Sequence, residues 1–234
     1  MKKKKHSVRW EHVTIWMVVI VLTISAVAVL LCIMPQDSQE VDVLLTEEGK
    51  IIIETETELS VPLNPVPKPE IDEQLLPINP YSRPGEEVDR IEKIVIHYLA
   101  NPNTSAQQNH DYFESLKDLK DISMSANYIV GTDGEIIECV PPGEIAYASN
   151  EMNKSSVSIE NCHLDSSGRF TEKTYDTLVR LTAWLVAEYE LDRDDIIRHY
   201  DVTGKECPVY YVEHEDKWEA FKDDVISYIQ EYEK

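Results

Sequence analysis

The chain has 234 residues, 42% of them hydrophobic, and a formal net charge of −22 at pH 7. This length accommodates one domain of ordinary size together with additional segments. The negative charge excludes nucleic acid as an expected partner, because neutralising phosphates requires clustered positive charge. Acidity otherwise indicates only a well-solvated surface.

The N-terminal region predicts a membrane anchor. Residues 1–12 form a basic tail with lysines at positions 2–5, and residues 13–34 are almost entirely apolar. About twenty apolar helical residues span a bilayer core, and the basic end stays in the cytoplasm. A cleavable signal peptide is the alternative, but residues 31–35 offer no small-residue cleavage site. We therefore expect a retained single-pass anchor, with the rest of the chain outside the cytoplasm.

Residues 35–84 predict an acidic, proline-rich stalk. Eight of the twelve prolines fall there, and closely spaced prolines favour an extended chain. Within this segment, residues 41–45 and 50–59 are typical of a β-hairpin around a Glu-Glu-Gly turn. Residues 79–85 are interpreted as a lead-in that packs against the following domain.

Residues 85–234 predict a single α/β domain with a central mixed β-sheet flanked by helices. The apolar run Ile94–Ile96 is typical of a buried strand, and three further strands are predicted at 124–130, 135–140 and 156–162. Helices are predicted at 104–117, where a capping box begins the helix, at 171–190 and at 213–232. Tyr112 is expected on the apolar side of the first helix.

Two cysteines, Cys139 and Cys162, fall in separate predicted strands. They can pair only if the strands are adjacent and the compartment is oxidising. Two buried free thiols are equally consistent with the sequence.

Three residues with metal-binding side chains indicate one site. His97 directly follows the Ile94–Ile96 strand, and His199 and Cys207 are eight positions apart in a predicted loop that contains Gly204. Such a loop can direct both side chains to one point, and two imidazoles with one thiolate suit Zn²⁺ with an open fourth position. Each residue alone is more typical of an ordinary surface or core position. The combination predicts a catalytic metal site.

Two charged residues are candidates for catalysis beside this site. Lys205 is two positions from Cys207, so its ammonium can stabilise a developing oxyanion. Glu160 alternates with apolar Val157 and Ile159 in a predicted strand, where an apolar wall can raise a carboxyl pKa into the range of general acid–base catalysis. An outward-facing strand carboxylate and an exposed loop lysine are the simpler interpretations of the two residues.

The segments Val95-Ile96-His97-Tyr98 and Arg198-His199 through Cys207-Pro208 resemble the zinc-dependent N-acetylmuramoyl-L-alanine amidases, whose fold is shared with peptidoglycan-recognition proteins. The resemblance extends from about residue 90 to the C-terminus. It implies one zinc ion per chain, peptidoglycan as the partner, and hydrolysis of the amide between N-acetylmuramic acid and L-alanine. It also implies catalytic roles for Glu160 and Lys205.

The chain departs from this family's pattern at the expected substrate groove. Ala126 and Asn127 stand where some relatives have tyrosine and histidine, and Tyr147-Ala148 stands where others have tryptophan and histidine. Asn127, Tyr128, Tyr147 and His163 are therefore the candidate groove residues.

Two alternatives remain open at this point. A non-catalytic peptidoglycan-binding module would share the fold, but such modules usually lack a metal ligand. A structural zinc site would recruit a fourth protein ligand, for which His110, His163 and His214 are candidates. The oligomeric state is not predicted.

Overall fold

The computed structural model describes residues 43–45, 51–53 and 65–232. Two strands, β1 (Val43–Leu45) and β2 (Ile51–Ile53), pair antiparallel with Val43 opposite Ile53, as the hairpin prediction required. The predicted anchor at 13–34 lies outside the described residues. Within the ranges given above, no helix combines the length and the apolar composition needed to cross a bilayer.

A six-stranded sheet organises residues 65–232. Its strands are β3 (Asp72–Glu73), β4 (Lys93–Ile96), β5 (Tyr128–Val130), β6 (Ile136–Glu138), β7 (Ser156–Asn161) and β8 (Ile196–Arg198). Their order is β3-β6-β5-β7-β4-β8, and all neighbours are parallel except β5 and β6. The predicted mixed sheet is confirmed, although β5 and β6 are shorter than expected and neither β3 nor β8 was predicted.

Three long helices accompany the sheet, as the sequence predicted. The long helices are α1 (Ala106–Leu119), α2 (Glu172–Glu188) and α5 (Glu215–Tyr232), and two short helices, α3 (His199–Thr203) and α4 (Val209–Glu213), come between α2 and α5 in the sequence. Ser105 caps α1 in a capping box with Gln108, and Thr171 caps α2, so both N-termini satisfy a free backbone N–H with a local side chain. Tyr112, expected on the apolar face of α1, is 43% exposed.

The two faces of the sheet carry different cores. Ile94, Ile96, Val157 and Ile159 belong to a cluster with α2 and α5, whereas residues of β5 and β6 pack with α1 on the other side. Because side chains alternate along a strand, the residues between and after these isoleucines project toward the opposite face. The C-terminal end of β4 and β7 therefore presents polar side chains away from α2 and α5.

The domain begins before residue 85, which corrects the predicted boundary of the stalk. Val66 and Leu76 are fully buried in the two cores, and β3 pairs in parallel with β6. Arg83 forms two hydrogen bonds of 2.7 Å to the carboxylate of Glu144. Residues 65–84 are thus part of the folded domain, and the predicted lead-in at 79–85 packs against it.

Cys139 and Cys162 are both free thiols in the interior. Cys139 follows β6 and Cys162 follows β7, and β5 lies between these two strands in the sheet. The strands are not adjacent, which removes the geometric condition for a disulfide. Burial raises the pKa of the Cys162 thiol to about 12.

Candidate metal centre and active-site cleft

His97 directly follows β4, a largely buried strand with a neighbour on each side. Ile94, Val95 and Ile96 of β4 are fully buried, and the strand pairs with β7 on one side and β8 on the other. The His97 backbone N–H continues the ladder by donating to the Ile159 carbonyl at 2.9 Å. The imidazole is therefore attached to a rigid part of the backbone.

His199 and Cys207 are brought together by a closed turn after the neighbouring strand. His199 is the first residue of the short helix α3, which corrects the prediction that it lies in a loop. Gly204 ends this helix with a φ of 77°, a conformation that glycine adopts without strain. The Tyr200 N–H then donates to the Cys207 carbonyl at 2.9 Å, which returns Cys207 to the start of the turn.

Arg198 fixes this turn to the C-terminal helices. Its buried guanidinium forms hydrogen bonds with the carboxylates of Asp201 and Glu215 and with the Tyr211 carbonyl. The group also lies 5.3 Å from the centre of the Trp218 ring, within the range of a cation–π contact. These contacts bind the residue before His199 to α3, α4 and α5.

The structure brings His97, His199 and Cys207 to one point. One ligand atom from each lies within 4.8 Å of the other two, and all three residues are buried. The imidazole centroids are 4.7 Å apart with their planes inclined at 63°, and Cys207 Sγ lies 3.8 Å from His97 Nδ1. Nδ1 of His199 is buried without a hydrogen-bond partner. An unpartnered buried nitrogen beside a thiol and a second imidazole fits a bound transition-metal ion.

The ionisation of these groups suits ligation. Burial lowers the pKa of His97 well below its ordinary value, and the nearby His199 and Lys205 lower it further. Burial, followed by Lys205, also lowers the pKa of His199, so both imidazoles are neutral at pH 7. Burial raises the pKa of Cys207 to about 12 in the absence of a cation. Deprotonation of this thiol therefore has to be coupled to metal binding.

Glu160 and Lys205 line a cleft next to this group. The cleft encloses about 310 Å³ and also contacts His199. Burial raises the pKa of Glu160 to about 7, although the positive charge of Lys205 opposes the shift. Oε2 of Glu160 is buried and has no hydrogen-bond partner, whereas Lys205 is exposed. A carboxyl with a pKa near 7 thus stands beside an exposed cation.

Of the four residues predicted to contact substrate, Tyr147 alone lines this cleft. Asn127 is fully buried, and its amide nitrogen contacts the carbonyls of Val140, Pro141 and Glu144. Tyr128 is 1% exposed and packs in the core on the α2 side. The side chains of these two residues are enclosed by the domain and do not line this cleft.

His163, also predicted to line the groove, does not line this cleft. The residue is 1% exposed, and its ring nitrogens lie 2.7 Å from the Asp165 carbonyl and 2.9 Å from the Leu99 carbonyl. His110 contacts the Gln74 carbonyl at 2.7 Å, and His214 stacks on Tyr210. Among the described residues, none of these histidines joins the metal-binding group, which has three protein ligands and a neighbouring cleft. This arrangement favours a catalytic site over a structural one.

Two polar residues that sequence reasoning missed contact the ligands directly. Ser149 Oγ lies 3.0 Å from His97 Nε2, and Asn150 Oδ1 lies 3.3 Å from His199 Nε2. The sequence gives one hint at Asn150: asparagine adopts a positive φ more readily than most residues, and Asn150 has a φ of 53°.

A larger cavity of about 460 Å³, beside Arg169 and Tyr210, contains none of the ligands or candidate catalytic groups.

The fold and the site define an α/β domain with a candidate metal centre and an ionisable carboxyl in an adjoining cleft. The family model described as N-acetylmuramoyl-L-alanine amidase, Amidase_2, matches residues 87–210. The chain belongs to this family, which confirms the resemblance drawn from the His97 and His199–Cys207 segments.

Individual proteins show the extent of the likeness. The N-acetylmuramoyl-L-alanine amidase CwlL of Bacillus licheniformis is 32% identical over 163 residues, which cover 64% of this chain and 45% of the relative. BlyA of Bacillus subtilis (strain 168), another N-acetylmuramoyl-L-alanine amidase, is 31% identical over 171 residues with the same coverage. A mutant endolysin from Bacillus subtilis superimposes with a TM-score of 0.56 at 25% identity, covering 67% of this chain and 98% of that one. The chain thus spans about half the length of the curated relatives it matches.

Proposed function

We propose that this protein is a membrane-anchored zinc amidase that hydrolyses the amide bond between N-acetylmuramic acid and L-alanine in peptidoglycan. The observation that carries the proposal is the convergence of His97, His199 and Cys207 beside a cleft that contains Glu160. Membership of the amidase family and the names of the two Bacillus relatives support the choice of bond.

The ligand set supports zinc as the cofactor. His97, His199 and Cys207 offer two neutral imidazole nitrogens and one sulfur, the donor types that zinc binds in proteins. His97, His199 and Cys207 would hold the zinc ion, which would supply Lewis acidity for polarising a carbonyl and activating water. In this proposal the three residues hold one ion per chain.

Glu160 is proposed to move the proton. A carboxyl with a pKa of about 7 is present in both protonation states near neutral pH. The ionised form accepts a proton from the attacking water, and the protonated form then delivers it to the leaving nitrogen of L-alanine. Oε2 of Glu160 has no hydrogen-bond partner in the protein, so no other protein group competes for its proton. The position of Glu160 on the cleft agrees with this role.

Lys205 is proposed to stabilise the negative charge that develops on the scissile carbonyl oxygen. Its ammonium lowers the pKa of His97, His199 and Glu160, which indicates that its field reaches the site. A cation at the mouth of a partly buried cleft stabilises an oxyanion more strongly than it does in water. Tyr147 is proposed to form part of the substrate groove.

The cellular location is proposed from the sequence. The basic residues at 2–5 and the apolar segment 13–34 support a single-pass anchor with a cytoplasmic N-terminus. The acidic, proline-rich segment that follows supports a spacer between the membrane and the domain. An amidase domain outside the cytoplasm would have access to the cell wall.

The full chain, purified in detergent, tests the activity. We would incubate it with purified peptidoglycan, with and without a chelator, and identify the released fragments by mass spectrometry. Stem peptides with a new L-alanine amine, lost on chelation and restored by zinc, are the expected products. Binding to peptidoglycan without release, from a protein shown to contain zinc, would instead establish a recognition module.

A further inference from the structure

Two consecutive residues, Ser149 and Asn150, each contact one imidazole of the metal-binding group. Ser149 Oγ contacts Nε2 of His97 at 3.0 Å, and Asn150 Oδ1 contacts Nε2 of His199 at 3.3 Å. The two histidines come from different segments, one after β4 and one at the start of α3. A single turn, at the start of the 3₁₀ helix Asn150–Lys154, therefore reaches both.

The contact with Asn150 favours one of the two tautomers of His199. An amide oxygen can only accept a hydrogen bond, so Nε2 of His199 must be the donor. In a neutral imidazole this leaves Nδ1 with a free lone pair. Nδ1 is the buried atom that has no hydrogen-bond partner. The contact thus leaves the buried Nδ1 of His199 unprotonated and available to a metal ion.

Ser149 can play the corresponding part for His97. The residue is fully buried, and its Oγ lies 2.8 Å from Ser158 Oγ as well as 3.0 Å from Nε2 of His97. One hydroxyl can accept from the imidazole and donate to Ser158. This arrangement places the proton of His97 on Nε2, and Nδ1 faces Cys207 Sγ at 3.8 Å.

The turn is itself fixed in position. The Asn153 side-chain oxygen accepts hydrogen bonds from the backbone N–H groups of Ala148 and Ser149, and the Ser156 hydroxyl donates to the Met152 carbonyl at 2.7 Å. Asn150 adopts a φ of 53°, which asparagine and glycine tolerate better than other residues. The two contacts to histidine therefore come from an ordered backbone.

We infer that Ser149 and Asn150 are positioning residues that set the orientation and the Nε2–H tautomer of His97 and His199 for binding a divalent metal ion. The inference rests on the metal centre of the proposed function and adds residues that act through the ligands. Hydrogen bonds of this kind fix the ring and raise the basicity of the ligating nitrogen. Because Asn150 also lines the cleft, one turn orients the ligands and forms part of the groove wall.

Four variants of the full chain test this inference. Ser149→Ala removes the hydroxyl, and Asn150→Gly removes the amide oxygen while permitting the positive φ. Asn150→Asp retains an acceptor at the same position. Thr177→Ala is the matched control, because it removes a buried hydroxyl that donates to the Gly134 carbonyl and that contacts no histidine in the hydrogen-bond network described.

Zinc affinity is measured by competition with a chromophoric chelator, and the visible spectrum of the cobalt-substituted protein reports the geometry of the ligands. We expect Ser149→Ala and Asn150→Gly to weaken zinc binding by about 10–100-fold and to alter the cobalt spectrum. Asn150→Asp and Thr177→Ala should bind zinc as the wild type does. Thermal melting of the metal-free proteins identifies any variant that does not fold.

The outcomes separate this inference from the proposed function. Wild-type affinity in folded Asn150→Gly would overturn the inference, even if Ser149→Ala failed to fold. Weaker zinc binding in Asn150→Gly, together with wild-type zinc binding in Asn150→Asp, would support the inference. A merely structural role would not depend on a hydrogen-bond acceptor at this position. A wild-type protein that bound no zinc would overturn the metal centre itself, whatever the variants did.

Discussion

Cys207 Sγ lies 3.8 Å from His97 Nδ1, although 110 positions separate the two residues. The parallel pairing of β4 with β8 places the ends of both strands side by side, and the Tyr200–Cys207 backbone hydrogen bond returns the chain to that end. The candidate metal centre is thus a consequence of strand order. Its chemistry can be tested residue by residue.

Replacing Cys207 by alanine should abolish both zinc retention and amidase activity. Two imidazoles alone form an incomplete site, and the thiolate is the ligand that carries charge. Metal content by atomic absorption and peptidoglycan release measure the two effects. Cys139→Ala is the control, because it removes another buried free thiol in the α1 core. Full turnover in the Cys207 variant would exclude the metal assignment.

Glu160→Gln should retain zinc and lose activity by about a hundredfold or more, the range expected for loss of general acid–base catalysis. Glutamine keeps the shape of the side chain but cannot exchange a proton near pH 7. The rate of fragment release and the zinc content are measured on the same sample. Glu151→Gln, at an exposed position near the same cleft, should be close to the wild type. An unchanged rate in the Glu160 variant would remove this carboxyl from the mechanism.

Lys205→Met should lower the rate by about 10²–10³ if the ammonium stabilises the oxyanion. Zinc content should remain, because Lys205 is not a ligand. The turnover number should fall more than the Michaelis constant rises, since the charge develops in the transition state. Lys154→Met, which removes an exposed lysine from the adjacent 3₁₀ helix, serves as the control. A change confined to the Michaelis constant would assign Lys205 to ground-state binding.

The Arg83–Glu144 ion pair should make part of the stability depend on pH. The hydrogen bonds from Arg83 lower the pKa of Glu144 below its ordinary 4.5, against the opposing effect of burial. The unfolded chain therefore binds more protons as the pH falls, and the stabilisation is present above the unfolded pKa and lost through the folded one. We expect Arg83→Gln to lower the free energy of unfolding near neutral pH by on the order of 1–3 kcal/mol.

Urea unfolding of both proteins at several pH values checks this expectation. The difference in the free energy of unfolding between the wild type and Arg83→Gln should become smaller once the pH falls below 4.5, the ordinary pKa of Glu144. Lys173→Gln removes the exposed pair with Asp133 and should leave stability almost unchanged at every pH. If Arg83→Gln lowered the free energy of unfolding by the same amount at every pH, the loss would come from packing and not from the ion pair.

The apolar segment 13–34 should keep the full chain in membranes. Detergent is expected to be necessary for extraction, and washing with high salt should release little protein, because burial of an apolar helix is insensitive to ionic strength. Fractionation followed by N-terminal sequencing measures both properties. A mature protein that begins after Pro35 would replace the anchor with a signal peptide.

The sequence by itself determined the features that depend on local pattern and residue chemistry. The apolar run before His97 predicted β4, and the caps at Ser105 and Thr171 predicted where α1 and α2 begin. Apolar residues at helical spacing predicted α2 and α5, whose apolar faces pack in the core. His97, His199 and Cys207 indicated a metal site because two imidazoles and one thiolate are typical ligands of zinc. The same residues carried the family resemblance.

Only the tertiary structure decided which side chains share the site. Asn127 and Tyr128 belong to the interior because β5 is enclosed by its neighbours, and residues 65–84 join the domain through pairing with β6. Ser149 and Asn150 reach both histidines across long separations in sequence. These contacts arise from packing between distant segments, and no local periodicity encodes the direction in which a loop side chain finally points.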